Sequence, residues 1–475
     1  MTALFRFGAW IAVGLAGTAV VCAAAASSAG TPVDWERVGN EATELLSRYL
    51  RVDTSNPPGN ERAAAEFLRG VFEREGLPVT VWEPAPGKAN IITHLAGNGR
   101  RRPIILLHHM DVVPAARKYW TVDPFAGEVK DGYIWGRGAL DMKGMGIAEI
   151  VATLTLHREG IVLDRDVILL ATSDEEIGGV LGAGEVARNQ REALRNAEFV
   201  LNEGGNIIVD ATGRALSYSV LAAEKTPFWL EVVAHGTPGH GSVQREDTAP
   251  NRLVRALEKI RTWSPPLTVT PVVERYFRAM APTLGPELQP LYVDLRRAIA
   301  DPAARELLAK NPRHYALLRN TISITVLEGS SKTNVIPPVA RAELDVRLLP
   351  GKDPQAFLAE IRQVAGEKDV EIKPLGIGWP APESTLDSDL FRAITKIANR
   401  RDPGVPVVPL VSTGFTDCHY FMELGMTCYG FAPFRVTEQD WLRIHGNDER
   451  LSIESLRNGV RFLHDLLLKL GRGAP

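Results

Sequence analysis

The chain has 475 residues, of which 45% are hydrophobic and 23% are charged, and its formal net charge is −3 at pH 7. This length is typical of two domains, and this composition is typical of a globular protein. The small negative charge argues against nucleic-acid binding, because nucleic-acid-binding domains usually carry a basic surface.

The first thirty residues, MTALFRFGAWIAVGLAGTAVVCAAAASSAG, differ from the rest of the chain. One early cation, Arg6, precedes an apolar run and then small residues with A-x-A character, which is typical of a secretory signal. We predict a signal peptide over residues 1–29, cleaved between Ala25 and Ala29, and an exported protein, periplasmic or secreted. An uncleaved anchor is the alternative, but the run is short for a membrane span. No second run is long enough, so no stable span is expected after signal removal.

The predicted mature chain contains two cysteines, Cys418 and Cys428. Export permits a disulfide between them, although a core of this size does not need one. Two buried thiols are at least as good an interpretation, so the sequence leaves the state of this pair open.

Helical patterns alternate with short apolar segments over residues 32–225. VDWERVGNEATELLSRYLRV predicts an amphipathic helix, and KGMGIAEIVATLTLHREG predicts another. The segments ANIITHLAG, PIILLHHMDV, DVILLATSDEE and AEFVLNEGG predict strands. Strands that alternate with helices indicate a doubly wound α/β sheet.

Three of these strands end in polar residues, in the segments HHMD, SDEE and NEGG. Ligands of open α/β sheets bind beyond the carboxyl ends of the strands. One acidic strand end is usually a solvated turn, but carboxylates that converge repel one another unless something positive lies among them. The three ends together therefore favour a cation site.

The pattern changes at residue 226, where strands and helices follow in the order β-α-β-β-α-β, the ferredoxin-like order. The segments are PFWLEVVAHG, PNRLVRALEKIRTW, NTISITVLEG, VARAELDVRLL, DPQAFLAEIRQVAG and VEIKPL. A largely helical insert interrupts them over residues 264–319. We predict a lid domain, residues 226–377, inserted into a larger α/β domain formed by residues 32–225 and 378–475.

The segment PIILLHHMDVVP combines a buried strand with two histidines and an aspartate. Residues two apart share a face of a strand, so His109 and Asp111 point the same way and His108 points the other way. A metal-binding imidazole needs its second nitrogen held, commonly by a carboxylate. We predict that His109 binds a metal ion, that Asp111 supports it and that His108 packs in the core. The alternative is a strand that simply turns polar at the surface.

Further segments supply carboxylates and a second histidine. Glycines around Asp141 in YIWGRGALDMKG let a carboxylate enter a crowded site, although an aspartate there often only caps a helix. Glu175 and Glu176 are adjacent in SDEEIGG, so one can bind metal while the other acts as a general base. Glu203 in NEGG and His445 in RIHGNDERL complete the set. Two histidines and three carboxylates suit two divalent ions, most naturally zinc, with Co²⁺ or Mn²⁺ as substitutes.

Eight segments occur in the order found in the M20 family of metallopeptidases and amidohydrolases: HMDVVP, GRGALDMKG, DEEIGG, NEGG, GHGS, NVIP, DVRLLP and HGNDE. That family includes aminoacylase-1, carboxypeptidase S, carboxypeptidase G2-like enzymes and secreted N-acyl-amino-acid hydrolases. The chain resembles it over nearly the whole predicted mature length. The resemblance implies an α/β catalytic domain with a co-catalytic metal site and an inserted ferredoxin-like α+β lid domain.

The resemblance also implies how the five ligands divide. His109 and Glu203 would bind one metal ion, and Glu176 and His445 would bind the other. Asp141 would bridge the two ions.

Three further residues take catalytic roles by the same resemblance. Glu175 would be the general base, and Asp111 would support the metal-binding histidine. His240, in GTPGHGS, would polarise the scissile carbonyl in the active site of the partner subunit. We therefore expect a homodimer.

The resemblance places three residues against the substrate. Asn334 in NVIP and Arg347 in DVR would contact its carboxylate, and the fork of an arginine suits that role. A surface salt bridge between Arg347 and Asp345 is the alternative. Gly414, in STGFTD, would belong to a substrate-contacting loop, although the following phenylalanine is larger than usual there.

The expected function is zinc-dependent cleavage of an amide next to a free carboxylate. TDCHYF, YGFAPF and the large insert resemble the carboxypeptidase S and N-acyl-amino-acid hydrolase branch, so we expect an N-acyl amino acid or short peptide as substrate. A peptide carboxypeptidase or dipeptidase is the first alternative. A metal-free peptide-binding protein on the same fold is another, but the presence of every ligand and the base argues against it.

Overall fold

The computed structural model describes residues 32–376 and 383–472. The predicted signal peptide and the predicted domain boundary at residues 377 and 378 lie outside these ranges. The described residues from Asp34 onward form one compact unit, so the predicted domain boundaries stay predictions. Within the described ranges, no helix is long and apolar enough to span a membrane.

Helices and strands alternate along most of the described chain. The helices are α1 (Trp35–Leu50), α2 (Glu61–Arg74), α3 (Lys143–Arg158), α4 (Ala183–Asn189), α5 (Ala249–Thr262), α6 (Pro271–Met280), α7 (Gln289–Val293), α8 (Leu295–Ala300), α9 (Pro302–Ala309), α10 (Pro312–Ala316), α11 (Pro354–Ala365), α12 (Asp389–Arg401), α13 (Cys418–Met422), α14 (Glu438–Trp441) and α15 (Ile453–Gly471). Short 3-10 turns lie at Arg117–Tyr119, Glu175–Ile177, Arg191–Leu194 and Ala281–Thr283.

The strands belong to two large sheets and two small ones. They are β1 (Val79–Ala85), β2 (Lys88–Leu95), β3 (Ile104–His109), β4 (Glu128–Lys130), β5 (Tyr133–Trp135), β6 (Val167–Thr172), β7 (Phe199–Asn202), β8 (Ile207–Val209), β9 (Ala215–Glu224), β10 (Thr226–Pro227), β11 (Leu230–His235), β12 (Gly239–His240), β13 (Thr321–Glu328), β14 (Val335–Ile336), β15 (Val339–Leu348), β16 (Val370–Pro374), β17 (Val407–Ser412), β18 (Thr427–Gly430), β19 (Arg435–Val436) and β20 (Arg450–Ser452).

The larger sheet runs β1-β2-β6-β3-β7-β18-β9-β8-β19, with β17 paired to β9. Its centre is parallel, since β3 pairs in parallel with both β6 and β7. All six residues of β3 are buried, as expected for a strand covered on both faces. Ile105 and Leu107 pack in a cluster with α4 and α13, whereas α3 contacts β3 and β6 and packs on α1 and α15. The predicted doubly wound α/β sheet is confirmed.

This topology decides where the polar strand ends lie. The strands β6, β3 and β7 are neighbours and run in the same direction, so their carboxyl ends meet at one edge of the sheet. His109 is the last residue of β3, Glu203 follows β7 directly, and Glu175 follows β6 after a two-residue connection. The sheet therefore brings residues far apart in sequence to one edge.

The lid domain contains a smaller antiparallel sheet in which β13 and β10 pair with β15, β15 with β11, and β11 with β16. Burial alternates along β15, whose apolar residues pack with β11, α5 and α11. Its other face carries Arg341, Glu343, Asp345 and Arg347. This arrangement confirms the predicted ferredoxin-like lid, to which the short strand β10 is added.

The helical insert contains α6 to α10 and contacts both parts of the protein. Helix α6 packs on β17 of the large sheet. The buried Lys225 Nζ donates to the carbonyls of Ala316 and Arg319 at 3.1 and 3.0 Å, and to Thr321 Oγ1 at 2.9 Å. The insert is therefore tied to the segment that connects the large sheet to the lid sheet.

Cys418 and Cys428 form a disulfide between α13 and β18, with their Cα atoms 5.7 Å apart. Both residues are buried on the face of the large sheet that α4 and α13 cover. Of the two states that the sequence left open, the structure therefore has the disulfide.

Candidate active site

Five side chains at the carboxyl edge of the large sheet form two groups that share Asp141. In the first group, His109 Nε2 lies 3.0 Å from Asp141 Oδ1 and 3.6 Å from Glu203 Oε1. In the second, His445 Nε2 lies 3.1 Å from Asp141 Oδ2 and 3.1 Å from Glu176 Oε2. One oxygen of Asp141 thus faces each group, which is the arrangement that a bridging carboxylate requires.

The second ring nitrogen of His109 is held by a backbone oxygen. Nδ1 lies 2.9 Å from the carbonyl oxygen of Asp111 and 3.6 Å from its carboxylate. Because a carbonyl only accepts hydrogen bonds, Nδ1 is the donor and Nε2 keeps its lone pair for the cluster. Asp111 therefore supports His109 mainly through its main chain, whereas the sequence had suggested its carboxylate.

The carboxylate of Asp111 instead holds the turn that carries the two adjacent glutamates. Fully buried, it accepts hydrogen bonds from the backbone N–H groups of Glu175 and Glu176, each at 3.1 Å, and from Asn56 Nδ2 at 2.8 Å. This turn, Glu175–Ile177, is a 3-10 turn preceded by Asp174 at φ +74°. A left-handed conformation is uncommon for a residue other than glycine and is often found at functional sites.

The electrostatics of the cluster favour a cation. Burial, and then the charge of Glu203, raises the pKa of Glu175 well above its usual value. Burial, and then the charge of Asp141, does the same to the pKa of Glu203. Glu176 Oε1 is buried without a hydrogen-bond partner among the described residues. Two imidazole nitrogens and three carboxylates fit divalent ions such as zinc, whose charge would offset this repulsion.

His108 faces away from the cluster, as the alternation of strand side chains predicts. It packs against α3 at Gly146, where a Cβ atom would lie 2.4 Å from the imidazole ring. Burial, and then the charge of His109, lowers the pKa of His108 to about 3. A neutral, enclosed imidazole of this kind belongs to the core.

The lid brings His240 and Asn334 together on two adjoining loops. Strand β12, which contains His240, pairs with β14, which begins directly after Asn334, and Gly241 N donates to the carbonyl oxygen of Asn334 at 2.8 Å. Both His240 and Asn334 are exposed, and His240 Nδ1 lies 2.7 Å from Ser242 Oγ. Within residues 32–376 and 383–472, no hydrogen bond or ion pair links either side chain to the five ligand candidates. Their predicted roles against the substrate therefore stay predictions.

Arg347 makes the salt bridge that the sequence allowed as an alternative. Its guanidinium donates to both carboxylate oxygens of Asp345, at 2.7 and 3.2 Å, and lies 6.0 Å from the centre of the Trp229 ring. The side chain is partly exposed on the uncovered face of the lid sheet. Binding a substrate carboxylate would require it to leave or share Asp345.

The loop that contains Gly414 lies beside the cluster. Gly414 N donates to Ser412 Oγ at 3.0 Å, and Thr416 donates through its N–H and hydroxyl to the buried carboxylate of Glu224 at 3.1 and 2.6 Å. Asp417, which accepts a hydrogen bond from Thr172 at the end of β6, raises the pKa of Glu175 through its charge, after burial and Glu203. The structure thus brings this loop, unlike the lid residues, next to the candidate base.

Sequence reasoning missed two buried charges that lie between the loops of Asp141 and His445. These are Arg137 and Glu449, with exposed fractions of 2% and 0%. Their only signal in the sequence was their position inside the segments GRGALDMKG and HGNDE. The contact between them could not be predicted, because the two residues are 312 positions apart.

The chain is similar to known proteins over most of its length. The family model described as Peptidase family M20/M25/M40 matches residues 105–469. The N-fatty-acyl-amino acid synthase/hydrolase PM20D1 of Xenopus tropicalis is 30% identical over 444 residues, which cover 91% of this chain and 86% of that protein. Human aminoacylase-1 is 29% identical over 432 residues, covering 89% and 93%.

A solved structure shares the fold. The M20 family metallo-carboxypeptidase of Sulfolobus solfataricus superposes with a TM-score of 0.67 at 20% identity, over 90% of this chain and 99% of that one. This distant similarity shows the fold, whereas the match of the family model to most of the chain shows the family. The chain belongs to peptidase family M20/M25/M40, a family of metal-dependent hydrolases.

Proposed function

We propose that this protein is an exported, two-zinc hydrolase that cleaves the amide bond of N-acyl amino acids. The observation that carries the proposal is the position of Asp141, whose two oxygens face two separate ligand groups. The turn at Glu175–Ile177 carries the candidate base directly before one of the ligands, Glu176. Such an arrangement suits hydrolysis at a pair of metal ions.

The two groups of side chains support the division of ligands that the family resemblance implies. His109, Asp141 and Glu203 would hold one ion, and Asp141, Glu176 and His445 would hold the other. When bound, two zinc ions would polarise the scissile carbonyl and make an attacking water more acidic. Zinc is proposed because mixed imidazole and carboxylate sets suit it, and Co²⁺ or Mn²⁺ could substitute.

The remaining steps are assigned to side chains of this protein. Glu175 accepts a proton from the attacking water and donates it to the departing amine. His240 donates a hydrogen bond to the carbonyl oxygen as negative charge develops there. Arg347 and Asn334 bind the free carboxylate of the amino acid, for which the arginine fork is suited. Gly414 provides backbone beside the substrate.

We also propose that the working form is a homodimer in which His240 acts on the partner's substrate. Support comes from the exposure of the loops at His240 and Asn334 and from their position on the lid. The helical insert argues against a dimer, because it already covers part of the large sheet through α6.

The substrate class rests on the names of relatives. PM20D1 is named as an N-fatty-acyl-amino acid synthase/hydrolase, and aminoacylase-1 is the other curated relative described above. Both cover most of this chain at about 30% identity or slightly less. Carboxypeptidase and dipeptidase activities remain the first alternative, because solved relatives carry those names.

A substrate panel tests the proposal. The zinc-loaded protein is incubated with N-acetyl and N-fatty-acyl amino acids, with dipeptides and with longer peptides, and the release of free amine is followed. We expect the highest kcat/KM among N-acyl amino acids, and a loss of roughly two to four orders of magnitude in the Glu175→Gln variant. Preference for dipeptides or for the last residue of peptides would favour the peptidase alternative. No turnover of any substrate by the zinc-loaded protein would favour a binding protein.

The proposed export has support from two features. The first 29 residues have the pattern of a signal peptide, and disulfides such as Cys418–Cys428 persist mainly in oxidising compartments. We expect the mature protein in the periplasm or the medium, with its amino terminus between residues 26 and 30. Amino-terminal sequencing of the protein from each cell fraction tests this, and an intact amino terminus in the membrane fraction would favour the uncleaved anchor.

A further inference from the structure

The buried pair Arg137 and Glu449 joins the loop that carries Asp141 to the loop that carries His445. Strand β20, which begins directly after Glu449, pairs with β5, which ends directly before Gly136. A backbone hydrogen bond from Gly136 N to Glu449 O, 2.9 Å long, continues this pairing. The two loops therefore leave the same small sheet side by side.

The carboxylate of Glu449 lies inside the Asp141 loop and orders its backbone. Oε1 accepts hydrogen bonds from the N–H groups of Leu140 and Asp141 at 2.7 and 3.1 Å. Oε2 accepts from Gly138 N at 3.1 Å and from Arg137 Nη1 at 2.8 Å. Four donors thus fix one carboxylate, and one of them is the backbone N–H of the bridging aspartate itself.

The guanidinium of Arg137 extends the same network to the other loop. Its Nη2 donates to the carbonyl oxygen of Gly446 at 2.6 Å, one residue after His445. His445 itself has φ +58°, a left-handed conformation that needs support from its surroundings. The contact between His445 Nε2 and Asp141 Oδ2 closes a ring of interactions through both loops.

We propose that Arg137 and Glu449 are positioning residues that prearrange Asp141 and His445 for one metal ion, the ion that these two residues would hold together with Glu176. This inference rests on the proposed two-metal function. The positions of His109 and Glu203 follow instead from the ends of β3 and β7. Loss of the pair should therefore lower the affinity for the ion held by Glu176 and His445 more than the affinity for the other ion. Residues that orient metal ligands typically affect metal affinity by about 10- to 100-fold.

Zinc binding without substrate tests the proposal. Metal-stripped wild type and Glu449→Gln are titrated with Zn²⁺ against a chromophoric chelator, and bound zinc is counted per chain. A glutamine retains the shape but presents an NH₂ group where the site needs acceptors on both sides. We expect wild type to bind two ions and the variant to bind its second ion about 10- to 100-fold more weakly. The visible spectrum of the Co²⁺-loaded protein should change in parallel.

Glu198→Gln is the matched control. It removes a carboxylate that pairs with the buried Arg165 at 3.1 Å, at the amino ends of β6 and β7 and so at the edge away from the cluster. Its zinc affinities should equal those of wild type. Near-ultraviolet circular dichroism of the metal-free proteins checks that each variant is folded.

Each outcome decides the matter. Wild-type zinc affinities in folded Glu449→Gln overturn the positioning role but leave the proposed function intact, whereas failure of wild type to bind two ions contradicts the proposed function. If Glu449→Gln does not fold, Arg137→Lys is measured, because a lysine cannot reach both Glu449 and the Gly446 carbonyl. Unchanged affinities there overturn the proposal, and so does loss of folding in both variants, since the pair would then serve the fold alone.

Discussion

The edge of the large sheet that carries the candidate metal ligands and the lid loop around His240 differ in how firmly their side chains are held. At the edge, the buried carboxylate of Asp111 accepts three hydrogen bonds, and His109 is fixed through Nδ1. At the lid, His240 is exposed, and the ring is held by a serine two residues away in the same loop. His109 and the Glu175–Ile177 turn are thus fixed by buried partners, whereas His240, which we propose contacts the substrate, is exposed.

This difference follows from what each group must do. Carboxylates that converge repel one another, so their positions must be fixed by backbone and buried partners. A group that contacts the substrate needs free space around it, and His240 and Asn334 are both exposed. We therefore expect substitutions at the edge to alter metal content or chemistry, and substitutions in the lid to alter only turnover.

The largest effect is expected from Asp141→Ala. The variant should lose bound metal and activity together, because one carboxylate faces both ligand groups. Metal content by elemental analysis, alongside amine release, checks this expectation. A variant that keeps two ions per chain would show that Asp141 does not bridge them. It would also contradict the expectation that substitutions at the sheet edge alter metal content.

Glu175→Gln should abolish most turnover while leaving the ions in place. An amide cannot accept the proton of the attacking water, and loss of a general base costs roughly two to four orders of magnitude. Bound metal should stay near the wild-type value, because Glu175 belongs to neither ligand group. Normal turnover, or loss of metal, would show that base and ligand have been assigned to the wrong glutamates.

His240→Ala should reduce kcat by about 10²- to 10³-fold, as removal of a hydrogen-bond donor to a developing oxyanion does. Zinc content should not change, which distinguishes this lid variant from Asp141→Ala. The dimer is tested by complementation, in which His240→Ala and Glu175→Gln chains are unfolded, mixed and refolded together. Activity well above that of either variant supports donation across the dimer.

Two results would contradict that arrangement. Mixed dimers without recovered activity would mean that His240 serves its own chain or has no catalytic part. Sedimentation of the wild type as a monomer would exclude donation between subunits directly. After either result, any catalytic part of His240 would require the exposed lid loop to reach the candidate ligands of its own chain.

The smallest effect is expected in the segment that connects the large sheet to the lid sheet, where Lys225 is fully buried. Burial, and then the charges of Arg347 and Arg319, lowers the pKa of Lys225 to about 7. Between about pH 7 and the ordinary lysine pKa of about 10.4, the unfolded chain binds a proton that the folded chain has released. The free energy of unfolding should therefore rise with pH across this window.

Lys225→Met should remove that rise. Urea unfolding at pH 7 and pH 9.5 measures it, and wild type should gain on the order of 3 kcal/mol relative to the variant between the two. Lys259→Met, which removes a lid-surface ammonium that donates to the carbonyls of Ala365 and Gly366, is the matched control and should keep the rise. Equal pH dependence in wild type and Lys225→Met would mean that the buried ammonium keeps its proton.

Much of the fold could be predicted because its signals are local. The apolar run that opens β3 before His108 and the strict alternation along β15 distinguish a parallel interior strand from a strand with one open face. Three of the five candidate ligands, His109, Glu176 and Glu203, lie at or just after the carboxyl ends of β3, β6 and β7. Their convergence could be predicted because parallel neighbouring strands end at one edge.

The tertiary structure alone decided which groups hold those ligands. The sequence pointed to the carboxylate of Asp111 as the partner of His109, but the backbone oxygen takes that role, because the turn after β6 occupies the carboxylate. The disulfide and the contact between Arg137 and Glu449 likewise depend on distances in space. Periodicity and motif order determine what each segment presents, but only packing brings residues 312 positions apart within 2.8 Å.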